Sequence, residues 1–174
     1  MTRLNVAATM AAVLLGATGP ATAHVSLETK QAPAGSTYKA VLQIGHGCEG
    51  SPTRSIRVQI PEGVIAVKPM PKPGWELTTK VGQYARAYDY FGAKLTEGVK
   101  EIAWTGGNLP DEWYDEFVFR VRLPDAAPGG VIRFPIVQEC AEGVHRWIEV
   151  PAEGQNPDAV KEPAPSVTLT GNRK

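Results

Sequence analysis

The segment EFVFRVRL, residues 116–123, alternates apolar and mostly polar side chains over eight positions. Successive side chains of a β-strand leave opposite faces, so this alternation predicts a strand with one apolar face in the core and Glu116 on the other face. The predicted core residues are Phe117, Phe119, Val121 and Leu123.

Seven other segments show β-branched or aromatic residues at a period of two: 25–29, 37–44, 55–60, 75–81, 99–104, 131–137 and 144–150. Breaks rich in glycine, proline or polar residues separate them at 32–35, 61–63, 71–74, 105–108 and 124–130. Short strands at this spacing are typical of antiparallel sandwiches. We therefore predict an all-β fold, an antiparallel Greek-key β-sandwich of immunoglobulin-like or cupredoxin-like form.

Both ends of the 174-residue chain differ from this body. Arg3, an apolar run at residues 6–15 and an Ala-Thr-Ala sequence at 21–23 form the pattern of a signal peptide cleaved after Ala23. We expect residues 1–23 to be removed, 24–151 to form the domain and 152–174 to be a flexible polar tail. The mature protein is then periplasmic or secreted, with no membrane span.

Charge and cysteine content narrow the function. The chain has 18 basic and 18 acidic residues, and this balance argues against binding to nucleic acid. The sequence also lacks the motifs of hydrolases and of nucleotide-binding enzymes. Cys48 and Cys140 are too far apart in sequence for a CxxC metal or redox motif. Because an exported protein folds in an oxidising compartment, we predict that they form a disulfide.

His24 becomes the mature N-terminus if cleavage follows Ala23. Its α-amine and imidazole Nδ1 can then chelate one metal ion, and Cu(II) is favoured because it binds nitrogen ligands most strongly among the divalent ions. His46 or His145 could add a second imidazole or a second site, and sequence spacing does not decide this. Nor does spacing distinguish Glu116 from the other carboxylates, Glu112, Asp115, Glu139 and Glu149.

The segment at 144–150 has two faces if it is one continuous strand. One face carries the apolar residues Val144, Ile148 and Val150, which predicts that it packs on the core. The other face carries His145, Trp147 and Glu149. Trp147 is then expected outside the core, either covering a sheet edge or belonging to a site.

Five segments in order resemble the YcnI-like copper-binding domain family: His24-Val25, HGCEGSPT with IRVQIPEGV (46–53 and 56–64), KPGW (72–75), LPDEWYDEFVFRVRLPD (109–125) and QECAEGVHRWIEVP (138–151). The resemblance implies a mononuclear Cu(II) site of the single-histidine brace type. It assigns His24 as the chelating residue, Glu116 as the carboxylate ligand and Trp147 as the neighbouring aromatic.

The resemblance favours an exported, non-enzymatic copper-binding protein that acts in copper homeostasis or delivery. Its expected partners are the copper ion and other copper-handling proteins of the periplasm or membrane. One alternative is a copper-dependent oxidative enzyme of the polysaccharide-cleaving kind, which would require a second histidine on the metal. Another is a metal-free interaction sandwich.

Overall fold

The computed structural model describes residues 24–152, 154–155 and 159–171. The predicted signal peptide lies outside these residues. Within them the chain forms twelve strands: β1 Ser26–Leu27, β2 Gln31–Pro33, β3 Thr37–Ile44, β4 Thr53–Gln59, β5 Ile65–Pro69, β6 Glu76–Tyr90, β7 Ala93–Leu109, β8 Asp115–Arg122, β9 Val131–Arg133, β10 Ile136–Cys140, β11 Val144–Trp147 and β12 Ser166–Thr170.

Two larger sheets and one small sheet contain these strands. The four-stranded sheet has the order β1-β3-β8-β5, and the five-stranded sheet has the order β11-β10-β4-β7-β6. All pairings in both sheets are antiparallel. The third sheet, β2-β12-β9, combines one parallel and one antiparallel pairing. The predicted all-β sandwich is confirmed.

The core lies between the two larger sheets. Strand β8 and the residue that follows it contribute the four predicted core residues, each at most 1% exposed: Phe117, Phe119, Val121 and Leu123. The facing sheet contributes Trp104, whose ring meets that of Phe117 edge-on at 5.5 Å. Such contacts join both sheets into one cluster of buried apolar side chains.

Several predicted strand boundaries are wrong. Strand β6 continues beyond the predicted residues 75–81 to Tyr90, and β7 begins at Ala93 instead of residue 99. Strand β7 continues through residues 105–108, because Gly106 adopts a φ of 75° and the pairing with β4 shifts there, so the glycines form a bulge instead of a turn. The predicted strand at 131–137 divides at Phe134 and Pro135 into β9 and β10, which belong to different sheets. Strands β2 and β5 were not predicted, since both lie in proline-containing stretches with weak alternation.

The expectation of a flexible tail from residue 152 is wrong for its last part. Residues Ser166–Thr170 form β12, which lies between β2 and β9. Val167 and Leu169 are 0% and 1% exposed, so this strand closes part of the core. The proline and charged residues at 151–163 led to the prediction of a flexible tail, although a short alternation of apolar residues follows them at 166–170.

Candidate metal centre

The three histidines of the chain meet around one tryptophan, Trp147. The ring centroids of His24, His46 and His145 lie 5.8, 6.1 and 5.1 Å from that of Trp147. The rings of His46 and His145 are 5.7 Å apart and nearly perpendicular to each other. The fold thus gathers three imidazoles from positions separated by up to 121 residues of sequence.

The strand pairing explains why these residues converge. In the first sheet Ser26 of β1 pairs with Gln43 of β3, so His24, just before β1, lies alongside the chain that leaves β3 towards His46. In the second sheet β11 is the edge strand beside β10. The candidate metal centre therefore occupies the end of the sandwich where β1 begins, β3 ends and β11 forms the edge.

Trp147 is buried, at 3% exposure, and belongs to the core cluster. The prediction that it faces away from the core is wrong. The burial pattern of β11 reverses the predicted faces: Trp147 points inwards, and Ile148 and Val150, which follow the strand, are 45% and 63% exposed. Val144, on the other face of β11, is 44% exposed. His145 and Trp147 do share one face of the strand, as predicted, but it is the inner one.

Gln138 holds this centre together and was not singled out in the sequence. Its side chain is completely buried on β10. Its Nε2 donates to the His46 carbonyl at 2.7 Å and to the Thr53 hydroxyl at 2.8 Å, while its Oε1 accepts from Trp147 Nε1 at 3.0 Å. One amide thereby fixes both the loop that carries His46 and the tryptophan indole.

Two of the histidines have a defined tautomer. His46 Nδ1 lies 2.6 Å from the Gly47 carbonyl, and His145 Nδ1 lies 2.7 Å from Glu162 Oε1. A carbonyl and an ionised carboxylate can only accept, so each Nδ1 carries the hydrogen and the lone pair of each neutral ring lies on Nε2. Partial burial raises the pKa of Glu162, but hydrogen bonds from His145 and the Arg146 amide outweigh it and lower the pKa overall. Glu162 is therefore the ionised acceptor that this tautomer requires.

The predicted disulfide joins Cys48 and Cys140. Cys48 follows His46 by two residues, and Cys140 ends β10, directly before the turn to β11. The loop of His46 is therefore linked covalently to the hairpin that carries His145 and Trp147. The disulfide prediction is confirmed, and its position makes it part of the scaffold of this centre.

Glu116 lies apart from the histidines in the described conformation. It sits on β8 opposite Gln43, one strand further from β1. Its carboxylate accepts a hydrogen bond from the Tyr114 hydroxyl, which in turn accepts one from Gln43 Nε2 at 3.1 Å. Partial burial, followed by this bond to Glu116, raises the pKa of Tyr114. Among the described residues no hydrogen bond or ion pair joins Glu116 to His24.

The other carboxylates considered from sequence have different roles. Asp115 pairs with Lys72 at 2.6 Å and Glu139 with Arg57 at 2.6 Å. Glu112 is exposed, and Glu149 accepts from the Glu162 amide at 3.1 Å. Within residues 24–152, 154–155 and 159–171, no three His, Cys, Asp or Glu side chains are grouped so that they could hold a metal ion. A complete site therefore needs the α-amine, a side-chain movement, or solvent ligands.

The fold and this centre define an immunoglobulin-like β-sandwich that gathers imidazoles at one end. A solved structure with a similar fold is an uncharacterized protein from Nocardia farcinica, whose crystal structure reveals an immunoglobulin-like fold. It aligns with a TM-score of 0.61 and 24% identity over 84% of this chain and 98% of that one. In the described part of the chain no helix is long and apolar enough to cross a membrane.

The chain belongs to the DUF1775 family, a domain of unknown function, which it matches over residues 24–169. This is the YcnI family, so the resemblance stated from the sequence is confirmed. The chain is also 26% identical over 116 residues to the copper-binding protein CutI of Bacillus subtilis (strain 168). That match covers 66% of this chain and spans half the length of CutI.

Proposed function

We propose that the mature protein is an exported copper-binding protein that holds one Cu(II) ion at its N-terminus and acts in copper homeostasis or delivery, not in catalysis. His24 provides the α-amine and imidazole Nδ1, Glu116 provides a carboxylate oxygen, and Trp147 shields the ion. The proposal is supported by family membership and by the name of the CutI relative. The single observation that carries it is the contact between His24 and the buried Trp147 ring at 5.8 Å.

The donor atoms around His24 suit Cu(II). An amine and an imidazole of one residue form a chelate of two nitrogens, which is the ligand type that this ion prefers. The partially buried position of His24 against Trp147 limits the number of water molecules that can reach the ion. In the precursor this nitrogen is a peptide amide, so the chelate depends on cleavage after Ala23.

Coordination by Glu116 requires a local rearrangement. Its carboxylate must leave the Tyr114 hydroxyl and move past Gln43 towards β1. The hydrogen bond from Tyr114 therefore competes with copper for the same carboxylate. This competition provides a specific test of the ligand role, because removal of the Tyr114 hydroxyl should favour binding if Glu116 is a ligand.

The first experiment compares mature protein that begins at His24 with the same protein extended by one N-terminal glycine. Cu(II) titration followed by electron paramagnetic resonance should show an ion bound by the terminal chelate in the first protein, and that signal should be lost on extension. Binding should weaken as pH falls, because the amine and the imidazole must be deprotonated to coordinate the ion and protons then compete with copper. Equal spectra and affinities for the two proteins would refute the terminal chelate.

The second experiment tests Glu116 in the protein that begins at His24. Glu116→Gln should weaken Cu(II) binding, and Tyr114→Phe should strengthen it, because the phenol no longer competes for the carboxylate. Glu112→Gln is the matched control: this carboxylate lies on the same segment but is exposed, so its loss should leave the copper spectrum unchanged. If Glu116→Gln and Tyr114→Phe both leave the affinity unchanged, Glu116 is not a ligand.

Export is tested separately from copper binding. The protein is expressed with its natural leader in a Gram-negative host, and the N-terminus of the periplasmic product is sequenced. The expected sequence begins His-Val-Ser, residues 24–26. A product that begins elsewhere would remove the α-amine from the proposed site.

The presence of His46 and His145 beside Trp147 favours a copper-dependent oxidative enzyme as the second candidate, since such chemistry needs more than one imidazole near the metal. The test is oxygen consumption by the copper-loaded protein with a reductant and a polysaccharide. A rate no higher than that of a Cu(II)-histidine control supports binding. Polysaccharide cleavage that depends on the loaded protein would establish the enzyme instead.

A further inference from the structure

We propose that His46 and His145 form a second, internal metal site, which binds a copper or zinc ion through the Nε2 atoms of both rings and does not need the terminal amine. The choice of copper as its natural ion rests on the proposed function. The existence of the site rests on the geometry of the two histidines.

The separation of the rings suits a shared ion. Metal–nitrogen bonds of about 2.0 Å place the centroids of two imidazoles on one ion roughly 5 to 6 Å apart, depending on the angle at the metal. His46 and His145 have their centroids 5.7 Å apart, with ring planes at 86°. The separation of the two rings is therefore within the range that a shared ion requires.

Hydrogen bonds at the opposite nitrogens orient both rings. His46 Nδ1 donates to the Gly47 carbonyl and His145 Nδ1 donates to Glu162. A histidine that binds a metal commonly donates its other N–H to a carbonyl or carboxylate in this way, which fixes the tautomer and makes the ligating nitrogen more basic. Coordination in this pair would therefore use Nε2 of each ring.

Glu162 is itself held in place. Its second carboxylate oxygen accepts the Arg146 amide at 3.0 Å, and its own amide donates to Glu149 at 3.1 Å. The Glu162 side chain is 20% exposed. A histidine pair with no function would not require a positioned, ionised carboxylate beside His145. This carboxylate would also stabilise the positive charge of a bound ion.

The loop of His46 is held rigidly, and solvent can reach His145. Gln138 fixes the His46 carbonyl, and the disulfide at Cys48 ties the loop to the β10–β11 hairpin. On the outer side a cleft of about 260 Å³ reaches His145 between Ser51 and Gly143. The cleft gives solvent access to His145, one of the two proposed ligands. Two imidazoles with water molecules suit borderline ions such as Cu(II) and Zn(II).

The test uses mature protein extended by one N-terminal glycine, in which the terminal chelate is blocked. Cu(II) is added and followed by electron paramagnetic resonance and by quenching of tryptophan fluorescence, and Zn(II) is added in a parallel titration. We expect one equivalent of Cu(II) with coupling to two nitrogens. His46→Gln and His145→Gln should each weaken binding at least 10-fold, and Glu162→Gln should weaken it roughly 10-fold.

Glu142→Gln is the matched control, because Glu142 lines the same cleft and its amide donates to the Ser51 hydroxyl, and the substitution should change the affinity less than twofold. Far-ultraviolet circular dichroism and melting temperature establish that each variant is folded. Absence of Cu(II) binding to the extended protein, or binding that neither histidine substitution alters, would overturn the second site. Failure of the terminal chelate gives a different result, in which the extended and unextended proteins bind equally.

Discussion

Gln138 connects the core to the candidate metal centre, and its replacement by leucine tests that connection. The substitution retains a side chain of similar size but removes three hydrogen bonds inside the protein, to His46, Thr53 and Trp147. The Thr53 hydroxyl can rotate towards another acceptor. The His46 carbonyl and Trp147 Nε1 have fixed directions, so each loses its hydrogen bond to the Gln138 amide.

The expected loss of stability follows from the burial of these hydrogen-bonding groups. Each buried donor or acceptor that loses its partner costs about 1–3 kcal/mol, so two such groups predict a loss of roughly 2–6 kcal/mol for Gln138→Leu. For a protein of this size that corresponds to a decrease in melting temperature of roughly 10 °C. Guanidinium unfolding followed by circular dichroism, with the disulfide intact, measures the free energy directly.

A double-mutant cycle with Trp147→Phe isolates one of these bonds. The double variant removes both the amide oxygen and the indole N–H, so it should be about 1–2 kcal/mol more stable than the sum of the single losses predicts. Gln43→Leu is the matched control: Gln43 is only half-buried, and its loss should cost less than about 1 kcal/mol. A Gln138→Leu protein within 1 kcal/mol of the parent, or a strictly additive cycle, would refute the proposed role of Gln138.

Three further predictions concern the scaffold. Replacement of both Cys48 and Cys140 by serine should lower the stability by roughly 3–5 kcal/mol, because the disulfide closes a loop with a sequence separation of 92 residues; an unchanged melting temperature would contradict this. Burial raises the pKa of Tyr38 to about 12, so the stability that it contributes is complete below pH 10 and is lost between pH 10 and about 12, by up to about 3 kcal/mol; Tyr38→Phe should abolish that loss in alkaline denaturation curves. Gly107→Ala should cost about 1–3 kcal/mol, because its Cβ would lie 2.1 Å from the Trp75 ring, and a Trp75→Ala background should remove most of that cost.

The alternation of side chains predicted those parts of the fold that are long and have one buried face. Strand β3 has the predicted bounds, Thr37–Ile44, and the predicted core face of β8 is buried as expected. Such segments carry enough period-two signal to determine which side chains point inwards. The short strands β2 and β12 give no comparable signal, because their burial depends on partners distant in sequence.

The candidate centre was predictable as a list of residue types but not as an arrangement. His24 was identified from its position after a cleavage pattern, and the two cysteines from the expected compartment. The position of Trp147 was mistaken because the aliphatic residues Val144, Ile148 and Val150 indicated the inner face, whereas all three are exposed and the opposite face of this edge strand is buried. Gln138 and Glu162 were not identified, since a polar residue gives no sequence signal that it will be buried beside a distant histidine.

The effect of copper on folding distinguishes the possible ligand sets. The amine and imidazole of His24 belong to one residue, so this chelate forms in the unfolded chain as well as in the folded protein. A ligand stabilises a fold only to the extent that it binds the folded state more tightly. The terminal chelate alone should therefore raise the melting temperature very little, however tightly it binds.

Ligands from distant segments exist together only in the folded protein. A site formed by His46 and His145 should therefore stabilise the fold by about 2.7 kcal/mol when copper is present at 100 times its dissociation constant. A site that adds Glu116 to the terminal chelate should stabilise it by less, because the unfolded chain keeps the chelate. Melting curves with and without copper, for the protein that begins at His24 and for the glycine-extended protein, measure this difference. No stabilisation in either protein would show that no copper ligand depends on the fold. Stabilisation confined to the extended protein would contradict the proposal that the terminal chelate and the internal site coexist.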